Sequence, residues 1–435
     1  NTNLNQNRRS ISSPLYKDFK YFIQRLAIKI ETHFVQNAMR EAKNDYIMIV
    51  SDFYREYLYK PSNYLKGIIC SNFPTPEEKQ LAYMLSMELN IPVCQYKGII
   101  EQNTEIIIDS SNNQIIMNPS AEVSEDFKSK ISQRQDSNIM YDPSLIAPGY
   151  KVYASTANVN EIDSIASNDI YSGICVYKTE CSFAANRGTP KLEEAFEEYL
   201  EVFRRSNGKE IFINLPDFRK EMTIEEMNGE SIDRYSFLGN LYTFDTWLKA
   251  IAKAVEITGV DVKIAIPQIR IDNEFDFFKN TIEVFFEEQG LSIPKVGILI
   301  ETETAMENFE EYPLFDFTII ALDNLIEEYS EPSEYLDRYR DVSKEKFLEL
   351  LLLNLRDIHR YYMSLKGRTR HIVMGRCLKN QGILQRIYGM GFTEISVPIN
   401  NISDVIPQLS TSLLKVKKHF SRHNMKEKKK LEEKM

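Results

Sequence analysis

The stretch Val296-Gly297-Ile298-Leu299-Ile300-Glu301-Thr302 decides the fold. From Val296 to Ile300 no polar residue alternates with the apolar ones, which suits a parallel strand buried on both faces, and the run ends on a carboxylate. In a closed barrel of parallel strands, the residue leaving the C-terminal end of a strand faces the place where ligands bind. Glu301 is therefore the first candidate functional residue.

Similar units lie on both sides of it. Candidate strands are 151–155, 172–178, 210–214, 262–266, 296–301, 317–322, 371–374 and 394–397. Helical patterns follow them at about 159–166, 190–206, 244–257, 274–289, 304–310, 343–366, 380–388 and 401–415. Eight strands, each followed by a helix, predict an α/β chain closed as a (β/α)₈ TIM barrel over 150–415. Upstream, short β-type runs at Tyr46–Val50, Gly67–Cys70, Ile91–Gln95, Glu105–Asp109 and Gln114–Met117, with a helix at Pro76–Leu89, predict a small α/β domain over 46–120. The polar segment 121–149 reads as a linker helix followed by turns. Residues 1–45 read as a helical segment, with Phe19, Phe22, Ile23, Leu26, Ile28 and Ile30 close to a helical repeat. Residues 416–435 read as a charged, solvated tail. The sequence begins at Asn1 rather than Met, so further residues are expected before it.

Composition narrows the function classes. Lys and Arg number 53 against 63 Asp and Glu, and a net charge of -10 argues against a general binder of nucleic acid or anionic membranes. Any anion site must be built locally. The longest apolar run, Phe347 to Leu355, is too short to span a bilayer and is broken by Glu349 and Asn354. Five cysteines, at 70, 94, 175, 181 and 377, form no CxxC pair and fit a reduced, cytoplasmic setting.

The order of strands and motifs resembles the PEP-utilising enzymes. Gly173-Ile-Cys-Val-Tyr-Lys-Thr-Glu180 resembles their GxGLYRTE segment, Val296–Ala305 their IGxMxETPAA, and Asp316–Leu325 their DFFSIGTNDL. Phe237-Leu-Gly, Trp247–Ala254, Val262–Ile269 and Tyr388–Ser396 extend the likeness along the barrel. Tyr46–Ser120 is similar to the swivelling phosphohistidine domain of the same family, including Glu88-Leu-Asn-Ile-Pro92. The domain order is nearest to Enzyme I, the PEP-protein phosphotransferase of the sugar phosphotransferase system, over roughly 46–410. The resemblance implies PEP and Mg²⁺ at the barrel mouth, a histidine acceptor on the swivel domain and a cysteine that protonates the enolate.

That chemistry needs an acceptor, an acid and a clamp for three phosphoryl oxygens. At the acceptor position, counted back from Pro92, stands Leu81, and no histidine occurs between 34 and 358. At the acid position stands Met374, a thioether without a proton to give; Cys377 lies three residues on and reads as a structural cysteine. The family arginines correspond to Lys178, Asn214 and Leu241, and Arg338 alone keeps the type. Lys178 retains charge without the planar fork that grips phosphate twice. Ligand-binding candidates are thus Lys178, Arg338 and Asn214. Glu301, Asn324 and Asp323 are the candidate ligands of a weak Mg²⁺ site, with Asp323 and Asn324 read as adjacent strand residues pointing to opposite faces.

Each residue also has a plainer role available. Glu301 could serve as a salt-bridge partner of Lys178, His359 as a surface or interface residue on a long helix, and Arg219-Lys220 as a solvated loop. His371 opens the seventh barrel strand at the end away from the chemistry. The sequence therefore predicts an Enzyme I-like homologue without phosphoryl transfer, regulatory or scaffolding in role. Its expected partners are a PEP-like anion, a protein, and a second copy through the barrel. The rival readings are an active PEP-dependent phosphotransferase and a lyase or mutase acting on a pyruvate-like acid.

Overall fold

The structure is a computed structural model that describes residues 43–59, 61–74, 76–101, 104–109, 114–134, 142–185, 191–215, 241–267, 269, 274–302, 305–306, 308–310, 315–330, 351–352, 354–361 and 370–409. The chain divides principally at Ser120 into two compact units.

The first unit carries a parallel sheet ordered β1 (Tyr46–Asp52), β2 (Leu65–Asn72), β3 (Val93–Gln95), with helix α1 (Pro76–Leu89) between β2 and β3. Apolar residues at helical spacing bury Ala82, Leu85 and Leu89 of α1, while Ile68, Ile69 and Cys70 form the buried centre of β2. One polar tie lies inside this core. Arg55, in the single turn Arg55–Leu58, donates from Nε to Glu78 Oε1 at 2.9 Å, and both side chains are almost fully buried. The antiparallel hairpin β4 (Ile106–Asp109) and β5 (Gln114–Met117) completes the described strands here. Gly67 admits it closely, since a Cβ at that position would lie 2.7 Å from Ile108 Cδ1.

The second unit opens with α2 (Ala121–Arg134) and then forms the barrel. Its strands are β6 (Lys151–Thr156), β7 (Gly173–Tyr177), β8 (Glu210–Asn214), β9 (Val262–Ile266), β10 (Lys295–Ile300), β11 (Phe317–Ala321), β12 (Arg370–Met374) and β13 (Glu394–Pro398). They pair in chain order, every pairing is parallel, and β13 closes onto β6 with Ser396 opposite Tyr153. The eight expected strands are all present, with ends shifted by a residue at most.

Alternation along each strand separates two cores. Tyr153, Cys175, Phe212, Ala265, Leu299, Phe317, Ile319, Ile372 and Met374 fill the barrel, whereas their neighbours, such as Val152, Ile211, Ile264 and Ile298, face the helices. Those helices include α3 (Ile162–Ser167), α4 (Thr179–Ala185), α5 (Leu192–Arg205), α6 (Leu241–Thr258), α7 (Glu274–Glu288), α8 (Leu322–Ser330) and α9 (Gln381–Met390), with further helical residues at 351–352, 354–361 and 402–409. Among the described residues no helix is long and apolar enough to cross a membrane.

Two helices depart from expectation. The short α4 starts directly after Lys178, and α8 starts directly after β11. Asp323 and Asn324 thus lie on the first turn of a helix rather than on a strand, which corrects their expected opposition across a sheet. His359 also departs from a surface role: its ring lies 4.5 Å from that of Phe392 and 6.0 Å from that of His371, half-buried against the barrel's N-terminal end.

That N-terminal end is closed by charge. Arg370, the first residue of β12, donates to Glu210 of β8, Glu394 of β13 and the Tyr153 hydroxyl of β6, while the Tyr153 hydroxyl donates to Glu210 at 2.5 Å. Lys263, only 4% exposed in its side chain, sits 3.9 Å from Glu210. Ring and charge share the space, since the guanidinium and the Lys263 ammonium both lie 5.5 Å from the centre of Phe212.

Candidate functional site at the barrel mouth

The C-terminal strand ends gather the residues singled out from sequence. In β8 the inward parity runs Glu210, Phe212, Asn214; in β10 it runs Gly297, Leu299, Glu301; in β12 it runs Arg370, Ile372, Met374. Asn214 and Glu301 therefore stand on the inner wall at the mouth, 3% and 5% exposed. Met374, the last residue of β12, packs its thioether into the interior cluster.

Local structure fixes these positions. Lys178 leaves β7 with its N–H donating to Thr156 O at 2.9 Å, and its side chain is half-buried. The next residue, Thr179, donates its hydroxyl to Asn214 O at 2.8 Å, which ties the ends of β7 and β8. Just behind, the Glu198 carboxylate of α5 accepts from Tyr177 Oη at 2.7 Å and Ser182 Oγ at 2.6 Å, seating α4 on the strand.

On the opposite wall, Asn324 Nδ2 donates to Glu301 Oε2 at 2.5 Å. Asp323 turns the other way: its Oδ2 accepts from Arg376 N at 2.5 Å and its Oδ1 from Cys377 N at 3.0 Å. The carboxylate thereby caps the single turn Arg376–Lys379 that follows β12. Cys377 is partly rather than fully buried. Burial first, and the adjacent Asp323 charge second, push its thiol well above the ordinary cysteine range, so it stays protonated.

The family resemblance implies Mg²⁺ here, and the donor set does not fit it. Divalent magnesium takes oxygen ligands. At Glu301 the neighbouring group is an amide N–H₂, and both oxygens of Asp323 are committed to backbone N–H groups. Among the described residues no group of three or more His, Cys, Asp or Glu could hold a metal ion.

Elsewhere, Leu81 lies on α1 of the first unit, half-buried beside the fully buried Ala82. Arg338, the loop Arg219-Lys220 and Gly239 lie outside the described residues, and Leu241 starts the backbone of α6. What sequence reasoning missed was the role of the first turn of α8. Its signal was present: Leu322, Leu325 and Ile326 repeat at helical spacing behind Asp323, a residue type favoured at helix starts.

The fold is a closed (β/α)₈ barrel, and residues 135–313 match the family described as PEP-utilising enzyme, PEP-binding domain. The relatives are phosphoenolpyruvate-protein phosphotransferases. That of Bacillus subtilis (strain 168) is 25% identical over 256 residues, covering 53% of this chain and 44% of the relative. That of Haloferax volcanii is 21% identical over 244 residues, covering 52% of this chain and 42% of the relative. The matched stretch thus spans less than half the length of these relatives. Among solved structures, a citrate lyase from Burkholderia xenovorans LB400 aligns with a TM-score of 0.40 at 11% identity, covering 63% of this chain and 79% of that one.

Proposed function

We propose that this chain is an Enzyme I-like homologue that has lost phosphoryl transfer from PEP and acts as a regulatory or scaffolding protein. The observation that carries this reading is the state of the mouth: the carboxylate that a metal would need is bound by an amide, and the acid's position is a buried methionine. Leu81 at the acceptor position adds to it, since an aliphatic side chain cannot take up a phosphoryl group. Losing any one of these groups costs orders of magnitude in rate, so their joint replacement leaves no route for the transfer. Lys178 then serves as a residual contact for a PEP-like anion, and a protein partner or a second copy reads the occupancy. Incubation with PEP labelled in the phosphoryl group, with Mg²⁺, is expected to leave the protein unlabelled and to release no pyruvate. Labelling of any residue would overturn the reading in favour of an active phosphotransferase.

A second reading is favoured by one observation, the retention of a buried carboxylate, Glu301, at a C-terminal strand end. It makes the barrel a lyase or mutase for a pyruvate-like acid. Turnover of PEP or pyruvate without protein labelling would support it, and its loss in Glu301→Gln would locate it.

A further inference from the structure

We infer that the first turn of α8 is a hydrogen-bonded, side-chain replacement for a mouth cation: Asn324 and Asp323 together staple the strand ends that a divalent ion would otherwise bridge, and the mouth takes no such ion. This deepens the reading above, because it names what holds a mouth that does no phosphoryl chemistry.

Asn324 and Asp323 are adjacent at the start of α8, immediately after β11. One reaches to β10 through the 2.5 Å bond from Asn324 Nδ2 to Glu301, and the other reaches to the segment after β12 through Arg376 N and Cys377 N. Two neighbouring side chains on one turn thus tie the ends of the strands on both sides of β11.

Chemistry makes the tie exclusive. A cation needs oxygen lone pairs, and the amide presents N–H to Glu301. Because an N–H dipole already faces the Glu301 carboxylate, that charge is stabilised without a metal. Asp323 cannot swing to join it without uncapping the turn at Arg376–Lys379. Space beside this turn is also tight, since a Cβ at Gly375 would lie 3.1 Å from both Asp323 Oδ1 and Cys377 Sγ.

An amide replaced by a carboxylate inverts the logic. In Asn324→Asp two like charges would meet at hydrogen-bond distance, which disfavours the fold until a cation sits between them. The test measures the melting midpoint of the full chain with and without millimolar Mn²⁺, together with water-proton relaxation as a direct reading of bound Mn²⁺. The wild type is expected to show no midpoint shift and no Mn²⁺ signal that Glu301→Gln removes. Asn324→Asp is expected to melt lower than wild type and to regain several degrees with Mn²⁺. Asp323→Ala should melt lower as well, and Mn²⁺ should not restore it. A wild-type Mn²⁺ site abolished by Glu301→Gln would overturn the inference, and so would an Asn324→Asp variant indifferent to Mn²⁺. If Asn324→Asp does not fold, the wild-type and Glu301→Gln pair decides alone. A chain inert toward PEP can still bind Mn²⁺, so this test and the labelling test fail separately.

Discussion

Arg370 of β12 donates from Nη2 to Glu394 Oε2 of the adjoining strand β13 at 2.6 Å, at the barrel end opposite the candidate site. Their side chains are 28% and 13% exposed. Removing the guanidinium leaves Glu210 and Glu394 facing each other without a cation of matching geometry. Arg370→Met is therefore predicted to cost about 2–4 kcal/mol, lowering the melting midpoint by roughly 5–15 °C. Arg370→Lys should recover only part, because an ammonium cannot span two carboxylates as a planar fork does. Thermal unfolding followed by circular dichroism checks both.

Acid should weaken the barrel in two stages. Burial, and then the nearby His359, hold the His371 imidazole down at about 4, with Phe392 covering the pair. A histidine whose folded value lies below its unfolded value of about 6.5 binds its proton more readily in the unfolded chain, so stability falls as pH drops from about 6.5 toward 4. At Glu210, burial would raise the carboxyl, but hydrogen bonds from Arg370 and Tyr153 outweigh it and hold the group at about 2. Its contribution is present above the ordinary carboxylate value and is lost as pH falls toward 2. Urea midpoints measured from pH 8 to 3 should decline through both windows, and His371→Phe should flatten the upper one selectively.

The first unit has its own buried charge pair. Glu78→Ala would strand the guanidinium of Arg55, which is 1% exposed in its side chain, and is predicted to cost about 3–5 kcal/mol. Replacing both partners with Met and Leu should cost far less, since no uncompensated charge remains. Denaturant unfolding of the two variants separates these outcomes.

Glycine positions give opposite predictions on one barrel. A Cβ at Gly297 would run into Phe317 O and the Phe317 ring on the neighbouring strand, so Gly297→Ala is expected to cost about 3 kcal/mol or more. Gly389, inside α9, has nothing within 4 Å of its would-be Cβ, and Gly389→Ala is expected to stabilise by about 0.5–1 kcal/mol. Both are read from melting midpoints of otherwise identical proteins.

The barrel was legible because its strands are buried on both faces, so Ile174–Tyr177 and Val296–Ile300 announce themselves as unbroken apolar runs. The mouth was legible only as positions. Glu301 and Asn214 follow from strand parity, yet the pairing of Asn324 with Glu301 joins the first turn of a helix to the end of a strand that is not its own neighbour in sequence, which no local period reports. Asp323 was misplaced because the turn from β11 into α8 has no intervening loop residue to mark it. Likewise, Lys151, Glu210, Lys263, Arg370 and Glu394 each read as a lone charge at a strand start, and only closure brings them together.

The seam between β13 and β6 joins the last described strand to the first of the barrel. Nothing short of the complete run from Lys151 to Pro398 can shut the cylinder, so during synthesis the growing sheet carries two open margins until its final strand has left the ribosome. A stop codon between Gly375 and Glu394 would leave β12 and β6 as permanent sticky borders, and the truncated product should aggregate rather than persist as a smaller barrel.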